Sequence, residues 1–312
     1  MPRLNIYIPD DLDLELRSHP IEINVSQVCA AALRAEIAAA TQERGLAWLF
    51  SSAFHGPSEI EQAVMQRFKL ARCVAPPRYY RDEPTRDVVA RAATRFLERT
   101  CAEGGSLAMG GGLQMWSTVR MLTQRNIGMS IWAIGAGEVD HEIPHVHPNA
   151  LVTLMSLFYS ERSKAMLVGA PHFDRSWRYP AVFPQAQRPQ VNRVVIGSCS
   201  MFDADSPYAR LLGEDITSFL EQEHVTGDFL GVFFSPDGKP VEPYPPGMTI
   251  SHIAAGDLHA FSRRDDTLVA LAAGGEGKVR LIRQVLEARL CNALLTDIAT
   301  ANELMRLTNV PL

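Results

Sequence analysis

Residues 267–305 read TLVALAAGGEGKVRLIRQVLEARLCNALLTDIATANELM, and this segment decides the fold. It begins with an unbroken apolar run of strand length, 268–273, which a glycine-rich turn follows. Apolar residues then recur at helical spacing over 279–286. A second short strand comes next, and Thr296 or Asp297 can cap the helix after it. The segment therefore predicts alternating strands and helices that feed a parallel sheet.

The glycine-rich turn places a cation at the start of the first of these helices. Backbone amides at Gly274 and Gly275 and the ammonium of Lys278 would point at one spot, where the helix dipole adds partial positive charge. An anionic or polyhydroxylated ligand would suit this spot. Taken alone, a solvated lysine in the first turn of a helix is the plainer interpretation of Lys278.

The same residues carry a resemblance to a known family. An apolar strand, Gly-Gly-Glu-x-Lys, a helix and then Leu-Leu-Thr-Asp-x-Ala-Thr-Ala resemble the end of the effector domain of SorC-type bacterial sugar-responsive regulators, relatives of the DeoR type. The resemblance spans 58–305, with several motifs in the expected order. It implies a Rossmann-like α/β domain with a mostly parallel sheet, similar to sugar isomerases and CoA transferases, in which Lys278 contacts the effector.

The composition is that of an ordinary globular protein, and its formal net charge of -5 gives no global basic field. Any contact with nucleic acid must then come from a local, oriented surface. The five cysteines show no CxxC spacing, which fits buried thiols in a reducing compartment. No signal-peptide region and no apolar run of membrane-spanning length is evident. We therefore expect a cytoplasmic protein without membrane contact.

The first forty residues predict a strand and two short helices. In the strand, the apolar residues Leu4, Ile6 and Ile8 alternate with the polar residues Arg3, Asn5 and Tyr7. The first helix ends at Pro20, and Asn24 and Gln27 form a capping-box pair at the start of the second. A lone strand of this kind cannot bury its own apolar face, so two copies should pair their strands antiparallel.

This pattern, with Pro-Asp-Asp-Leu after the strand and Ile-Asn-Val-Ser-Gln-Val at the second helix, resembles the ribbon-helix-helix fold of bacterial repressors and antitoxins. In that family the paired ribbon enters the major groove of DNA. The resemblance implies base contacts and phosphate contacts from six residues: Arg3, Asn5 and Tyr7 on the ribbon, and Asn24, Val25 and Ser26 at the second helix. The plainer interpretation is a dimerisation ribbon whose polar face is solvated.

Regulators with this kind of effector domain usually carry a helix-turn-helix in front of it, and 41–57 shows no such unit. We therefore predict three parts. A ribbon-helix-helix module for DNA binding and dimerisation occupies 1–45, a helical linker occupies 46–57, and the effector domain occupies 58–312.

Four glycine corners of the effector domain follow predicted strands, at Gly110, Gly135, Gly197 and Gly274. Ligands in open α/β sheets lie at the carboxyl ends of strands, so these corners predict one pocket. By resemblance to the family, the residues around them that face the effector are Gly110, Gly111, Gly112, Gly135, Asn149, Ser198 and Asp228. For Asp228, a strand-end carboxylate that satisfies nearby amides is the plainer interpretation.

The glycine loop at 110–112 resembles the sugar-phosphate loop of the SorC type, where hydroxyl or cationic side chains usually follow the glycines. Leu113 and Gln114 stand in those places here. Leucine cannot donate a hydrogen bond and glutamine carries no charge, so a phosphate would lose part of its binding energy. The effector is therefore expected to be unphosphorylated, or to differ from a simple sugar phosphate.

Other stretches give weaker signals. Strands are predicted over 127–134 and 165–170, and the run 227–234 should form one strand of a hairpin that turns at 235–238. Ligand-type side chains crowd one loop: Glu138, Asp140, His141, Glu142, His145 and His147. Because Pro144 and Pro148 argue against the helix that His-x-x-x-His spacing needs, we predict a polar loop over the pocket, with no metal and no cofactor.

Three functions remain open from the sequence. A sugar-phosphate isomerase or deaminase would share the fold, but no local motif supplies a catalytic residue, although Asp228 or Glu276 could serve. An antitoxin-like binding protein would fit the ribbon and leave the large domain unused. We predict a transcriptional regulator and repressor, not an enzyme, that binds a palindromic operator as a homodimer or homotetramer and responds to a sugar or sugar phosphate.

Overall fold

The computed structural model describes residues 57–79, 81–134, 144–159, 163–167, 193–202, 214–241 and 253–307. The chain divides into two units, Met1–Phe54 and His55–Leu312, and every described residue belongs to the second. The predicted DNA-binding residues therefore lie outside the described part, as do Gly135 and His141. The division into 1–45, 46–57 and 58–312 stays a prediction.

The described strands are β1 (Arg72–Val74), β2 (Ser106–Met109), β3 (Ser130–Ala133), β4 (Lys164–Met166), β5 (Arg193–Gly197), β6 (Cys199–Met201), β7 (Gly227–Phe229), β8 (Val232–Phe234), β9 (Thr267–Ala272) and β10 (Ala293–Leu295). The described α-helices are α1 (Glu59–Phe68), α2 (Thr85–Thr100), α3 (Leu113–Arg120), α4 (Pro148–Tyr159), α5 (Glu214–Gln222), α6 (Ala255–Ser262), α7 (Val279–Glu287) and α8 (Ile298–Leu307). Short 3-10 turns lie at Pro144–Val146 and Glu276–Lys278.

Seven strands form one sheet in the order β1-β10-β9-β5-β2-β3-β4, and each neighbouring pair is parallel. The strands β6, β7 and β8 form a small antiparallel sheet. This architecture confirms the predicted α/β fold with a mostly parallel sheet.

Helices cover both faces of the large sheet, which is why its central strands are apolar throughout. All six residues of β9 and all five of β5 are buried. Alternate residues enter opposite cores: Val269 and Leu271 pack into the core that also contains Val279 of α7, whereas Leu268 and Ala270 pack into the other. No described helix has both the length and the apolar character needed to cross a bilayer.

The sheet has its topological switch point between β2 and β5. The chain leaves β2 through α3 and continues to β3 on one side, whereas β9, the next sheet strand after β5, lies on the other side. The carboxyl ends of β2 and β5 therefore flank the crevice where open α/β sheets bind ligands. There the Gly110 amide donates a hydrogen bond to the carbonyl of Ile196 over 2.9 Å.

The run 227–234 is not the single strand that the sequence predicts. It forms β7 and β8, which pair Phe229 with Val232 across a two-residue turn. Leu230 and Gly231 have φ of 53° and 82°, and positive φ at both central residues is the type I′ hairpin geometry. The turn between β7 and β8 lies inside one apolar run of the sequence, which is why the sequence analysis did not predict it. The chain still turns again at 235–238, where the Gly238 amide donates to the carbonyl of Ser235 over 2.9 Å.

Two other strands are shorter than predicted. The third strand begins at Ser130, because the Arg125 and Ile127 amides donate to carbonyls at the end of α4 and not to a neighbouring strand. The fourth spans Lys164–Met166 within the described residues.

Candidate functional site

The glycine loop after β2 is held against the segment that precedes α4. The Gly112 amide donates to the carbonyl of Val146 over 2.9 Å. A side chain at Gly111 would place its Cβ 2.9 Å from the same carbonyl oxygen and from Pro148 Cδ, and Gly112 has a φ of 100°. Both positions therefore require glycine.

The first turn of α3 opens at this loop without a side-chain cap. Leu113 is 47% exposed. The Gln114 side-chain amide donates to the carbonyl of Arg86 over 3.0 Å, which turns it toward the start of α2. Neither of these predicted effector-binding side chains offers charge at the loop. The backbone contributes the positive end of the α3 dipole, which would attract an anion there.

Ser198 and Lys278 lie near the same loop. The Ser198 hydroxyl oxygen is 3.6 Å from the position that a Cβ on Gly112 would occupy. The Lys278 ammonium donates to the carbonyl of Cys199, the next residue, over 3.1 Å. The structure therefore brings three predicted site residues together at the carboxyl ends of β2, β5 and β9: Gly112, Ser198 and Lys278.

Cys199 lies beside this group without being part of an exposed site. Burial raises the pKa of its thiol to about 12, and this effect outweighs the opposite influence of the Lys278 ammonium. The thiol is therefore protonated and unreactive at neutral pH, and the backbone carbonyl of Cys199 is what contacts Lys278.

The glycine loop after β9 is fixed by the start of α8. The Asp297 carboxylate accepts hydrogen bonds from the backbone amides of Ala299 and Thr300, each over 3.1 Å, which confirms the predicted helix cap. The Thr300 hydroxyl donates to the same carboxylate over 2.5 Å and accepts from the Gly275 amide over 2.8 Å. The sequence analysis missed this link because Gly275 and Thr300 are far apart along the chain.

Asp228 has a role inside the small sheet. It is 6% exposed, and its carboxylate accepts a hydrogen bond from the Gly231 amide over 3.1 Å. The carboxylate therefore stabilises the turn between β7 and β8, as the plainer interpretation had it. Contact of Asp228 with ligand hydroxyls stays a prediction.

Leu230, at the tip of that turn, covers two of the predicted site glycines. A Cβ on Gly110 would lie 2.8 Å from Leu230 Cδ2, and a Cβ on Gly197 would lie 2.7 Å from Leu230 Cγ. Both glycines are needed for this packing. The sequence analysis gave Leu230 no role, because a leucine inside an apolar run carries no sign of a turn.

The histidine-rich loop is partly described. The His145 ring lies 4.8 Å from the Trp116 ring, and His147 Nδ1 accepts from the Asn149 amide over 3.2 Å. Asn149 is the second residue of α4 and is half-buried. Among the residues that the structure describes, no group of three histidine, cysteine or acidic side chains could hold a metal.

The sequence and the structure of the chain are similar to those of known proteins. A family model described as "Putative sugar-binding domain" matches residues 52–306. The structure is similar to a transcriptional regulator from Streptococcus pneumoniae TIGR4, with 19% identity, a TM-score of 0.63, and coverage of 80% of this chain and 96% of that chain. It is also similar to the full-length sorbitol operon regulator SorC from Klebsiella pneumoniae, with 19% identity, a TM-score of 0.61, and coverage of 80% and 82%.

A DeoR family transcriptional regulator from Listeria monocytogenes has 14% identity, a TM-score of 0.58, and coverage of 79% of this chain and 98% of that chain. At these identities the likeness shows a shared fold. No curated protein sequence matches the chain. Because the family model spans most of its length, the chain belongs to the sugar-binding domain family that this model describes.

Proposed function

We propose that the protein is a DNA-binding transcriptional repressor that a small carbohydrate-like metabolite controls. The metabolite binds in the domain at 58–312, and a ribbon-helix-helix module at 1–45 binds the operator in the cytoplasm. Membership of the sugar-binding domain family supports the first half. Similar solved structures include a sorbitol operon regulator and a DeoR family regulator, which supports a role in transcriptional control.

One observation carries the effector site. Gly112, Ser198 and Lys278 offer a close backbone approach, a hydroxyl and a cation at the switch point of a parallel sheet. These groups are suited to the oxygens of a polyol or a sugar ring. The hydrogen bond from the Lys278 ammonium to the Cys199 carbonyl holds this cation beside Ser198.

An unphosphorylated effector fits this site better than a sugar phosphate. The Gly112 amide and the Gln114 side chain already donate to protein carbonyls, and Leu113 has no donor in its side chain. Thermal shift with matched pairs of a sugar and its phosphate tests this. Stabilisation by the phosphorylated members alone would overturn the preference.

An enzyme with the same fold is the second candidate, and it has less support. The Asp228 carboxylate that could act as a base is used by the Gly231 amide within a turn. Glu276, the other candidate, is exposed on a 3-10 turn and so lacks the burial that tunes a general base.

The proposed mechanism couples two sites through assembly. A dimer of ribbons binds a palindromic operator, contacts between effector domains build tetramers, and the metabolite shifts their arrangement. Linkage requires that a metabolite which weakens operator binding is itself bound less tightly by the protein on DNA.

The central experiment measures binding of the full chain to DNA upstream of its own gene by fluorescence anisotropy, with and without a panel of sugars. Lys278→Gln keeps a donor for the Cys199 carbonyl and removes the charge, so it should weaken the response to sugar about tenfold or more while operator affinity without sugar is kept. Arg280→Gln, on the exposed face of the same helix, is the matched control. An equal effect of both substitutions would contradict the assignment of Lys278.

The DNA-binding half has its own test. Arg3→Ala and Asn5→Ala should each reduce affinity and relax the sequence preference, because direct base contacts are worth roughly 1 to 3 kcal/mol. Arg44→Ala, outside the predicted strand, is the control. Unchanged affinity and preference in the first two variants would overturn the ribbon as the DNA reader.

A further inference from the structure

Leu230 adopts a backbone conformation that leucine rarely takes. Its φ is 53° in a type I′ turn, where asparagine or glycine is the usual choice. A left-handed conformation is sterically unfavourable for a residue with a Cβ. The turn holds this conformation with the help of Asp228, which accepts from the Gly231 amide.

The other left-handed residues have an ordinary explanation. Among the described residues that are not glycine, Lys69, His224 and Arg289 also have positive φ. Each is exposed and lies one or two residues after the end of a helix, where a left-handed residue commonly terminates the helix. Leu230 differs because it is 7% exposed and forms the tip of a hairpin. The packing of its side chain, and not the conformation of the local backbone, therefore explains why a leucine occupies this position.

That side chain lies over the carboxyl ends of β2 and β5, which flank the crevice. It rests on Gly110 and Gly197, the residues that end β2 and β5 at the switch point. Neither glycine leaves room for a Cβ beneath it. The polar groups of the site, the Ser198 hydroxyl and the Lys278 ammonium, belong to residues that are only half-buried. Leu230 therefore forms an apolar wedge over the two glycines, while the polar residues of the site stay partly accessible.

We infer that Leu230 is a specificity-determining residue, which sets how deeply the effector enters between the ends of β2 and β5. This inference rests on the proposed effector function. A leucine side chain contains four carbon atoms, so its removal frees enough space for one hydroxymethyl group. The wedge accordingly selects between carbohydrates that differ by such a group, as an aldopentose differs from the aldohexose with the same ring stereochemistry.

The test compares the wild-type full chain with Leu230→Gly, a substitution that the type I′ turn accepts. Binding of matched pentose and hexose pairs, with their phosphates, is measured by thermal shift and then by calorimetry. Wild type should favour the smaller member of a pair, and Leu230→Gly should shift the ratio of the two dissociation constants toward the larger member about tenfold or more. Leu230→Asn, which also suits the turn, keeps the test available if the glycine variant does not fold.

His224→Gly is the matched control, because it removes the same left-handed strain at an exposed position. It should leave the ratio unchanged. Equal ratios in wild type, Leu230→Gly and Leu230→Asn would overturn the wedge while leaving the effector site standing. A panel without response in any of these proteins would overturn the effector site and the wedge together.

Discussion

The Gly275 amide donates a hydrogen bond to the hydroxyl of Thr300 over 2.8 Å, and this bond joins the loop after β9 to the first turn of α8. The Thr300 hydroxyl in turn donates a hydrogen bond to the buried Asp297 carboxylate over 2.5 Å. The loop that carries Lys278 is therefore positioned by the Thr-Asp-x-Ala-Thr segment that follows β10.

Replacement of Thr300 by valine tests this support. Thr300→Val keeps the volume of the side chain but leaves the Gly275 amide without its acceptor and Asp297 with one donor fewer. The free energy of unfolding should fall by about 1 to 3 kcal/mol in urea titrations. Thr153→Val is the control, because the Thr153 hydroxyl is exposed and bonds only within its own helix. A difference below about 0.5 kcal/mol between the variants would contradict the role of Thr300.

Packing between Gly197 and Leu230 should appear as non-additive stability. Gly197→Ala forces a Cβ against the leucine side chain and should cost about 1 to 3 kcal/mol of unfolding free energy. Leu230→Ala removes buried apolar atoms and should also destabilise. The double variant should be at least about 1 kcal/mol more stable than the sum of the two effects predicts, since the overlap is gone. Simple additivity would show that the residues do not contact each other in solution.

Gly256→Ala should stabilise the protein. Gly256 lies in α6, and a Cβ there would meet no atom within 4 Å. Alanine reduces the freedom of the unfolded chain and favours the helix, so the free energy of unfolding should rise by about 0.5 to 1 kcal/mol. Gly227→Ala is the opposite case, because its Cβ would lie 2.5 Å from Leu281 Cδ2. A loss of stability in Gly256→Ala would mean that α6 begins after this residue.

Asp266 should make stability depend on pH in the acid range. Hydrogen bonds from Arg264 and then Thr267, together with nearby Arg193, lower the pKa of this carboxyl to about 2. Because that pKa is below the unfolded value of about 4, ionised Asp266 stabilises the fold above pH 4, and the contribution is lost as the pH falls toward 2.

Asp266→Asn should therefore lower the unfolding free energy by about 1 kcal/mol at pH 6, after allowance for solvent screening, and by less at pH 3. Urea titrations at the two pH values measure this. Asp265→Asn, at the exposed neighbouring position, should have little effect at either pH. Equal losses at both pH values would show that the ion pairs of Asp266 do not contribute.

The repeated strand, glycine and helix pattern was enough to predict the parallel sheet and the edge where the glycine corners meet. That pattern is local, because each corner follows its own strand directly. The partners of site residues are not local. The Gln114 side chain donates to the Arg86 carbonyl, and the Gly275 amide donates to the Thr300 hydroxyl. Because each contact joins residues far apart along the chain, neither can be recognised from the sequence alone.

Leu230 was missed for a different reason. Its turn violates the residue preference of type I′ hairpins, and sequence rules follow such preferences. What stabilises the turn is packing on Gly110 and Gly197, which lie in two other strands. Local propensity and tertiary packing disagree at this position, and packing decides.

Strand β10 lies between β9 and β1 in the large sheet. On one side it pairs with β9, whose carboxyl end leads into the Lys278 loop. On the other side it pairs with β1, the first strand of the described residues. The amides of Thr296 and Ile298, just past β10, donate to the carbonyls of Val74 and Pro76. The first strand of the described domain and the strand that leads into the cation-bearing loop are thus only two strand spacings apart, roughly 10 Å.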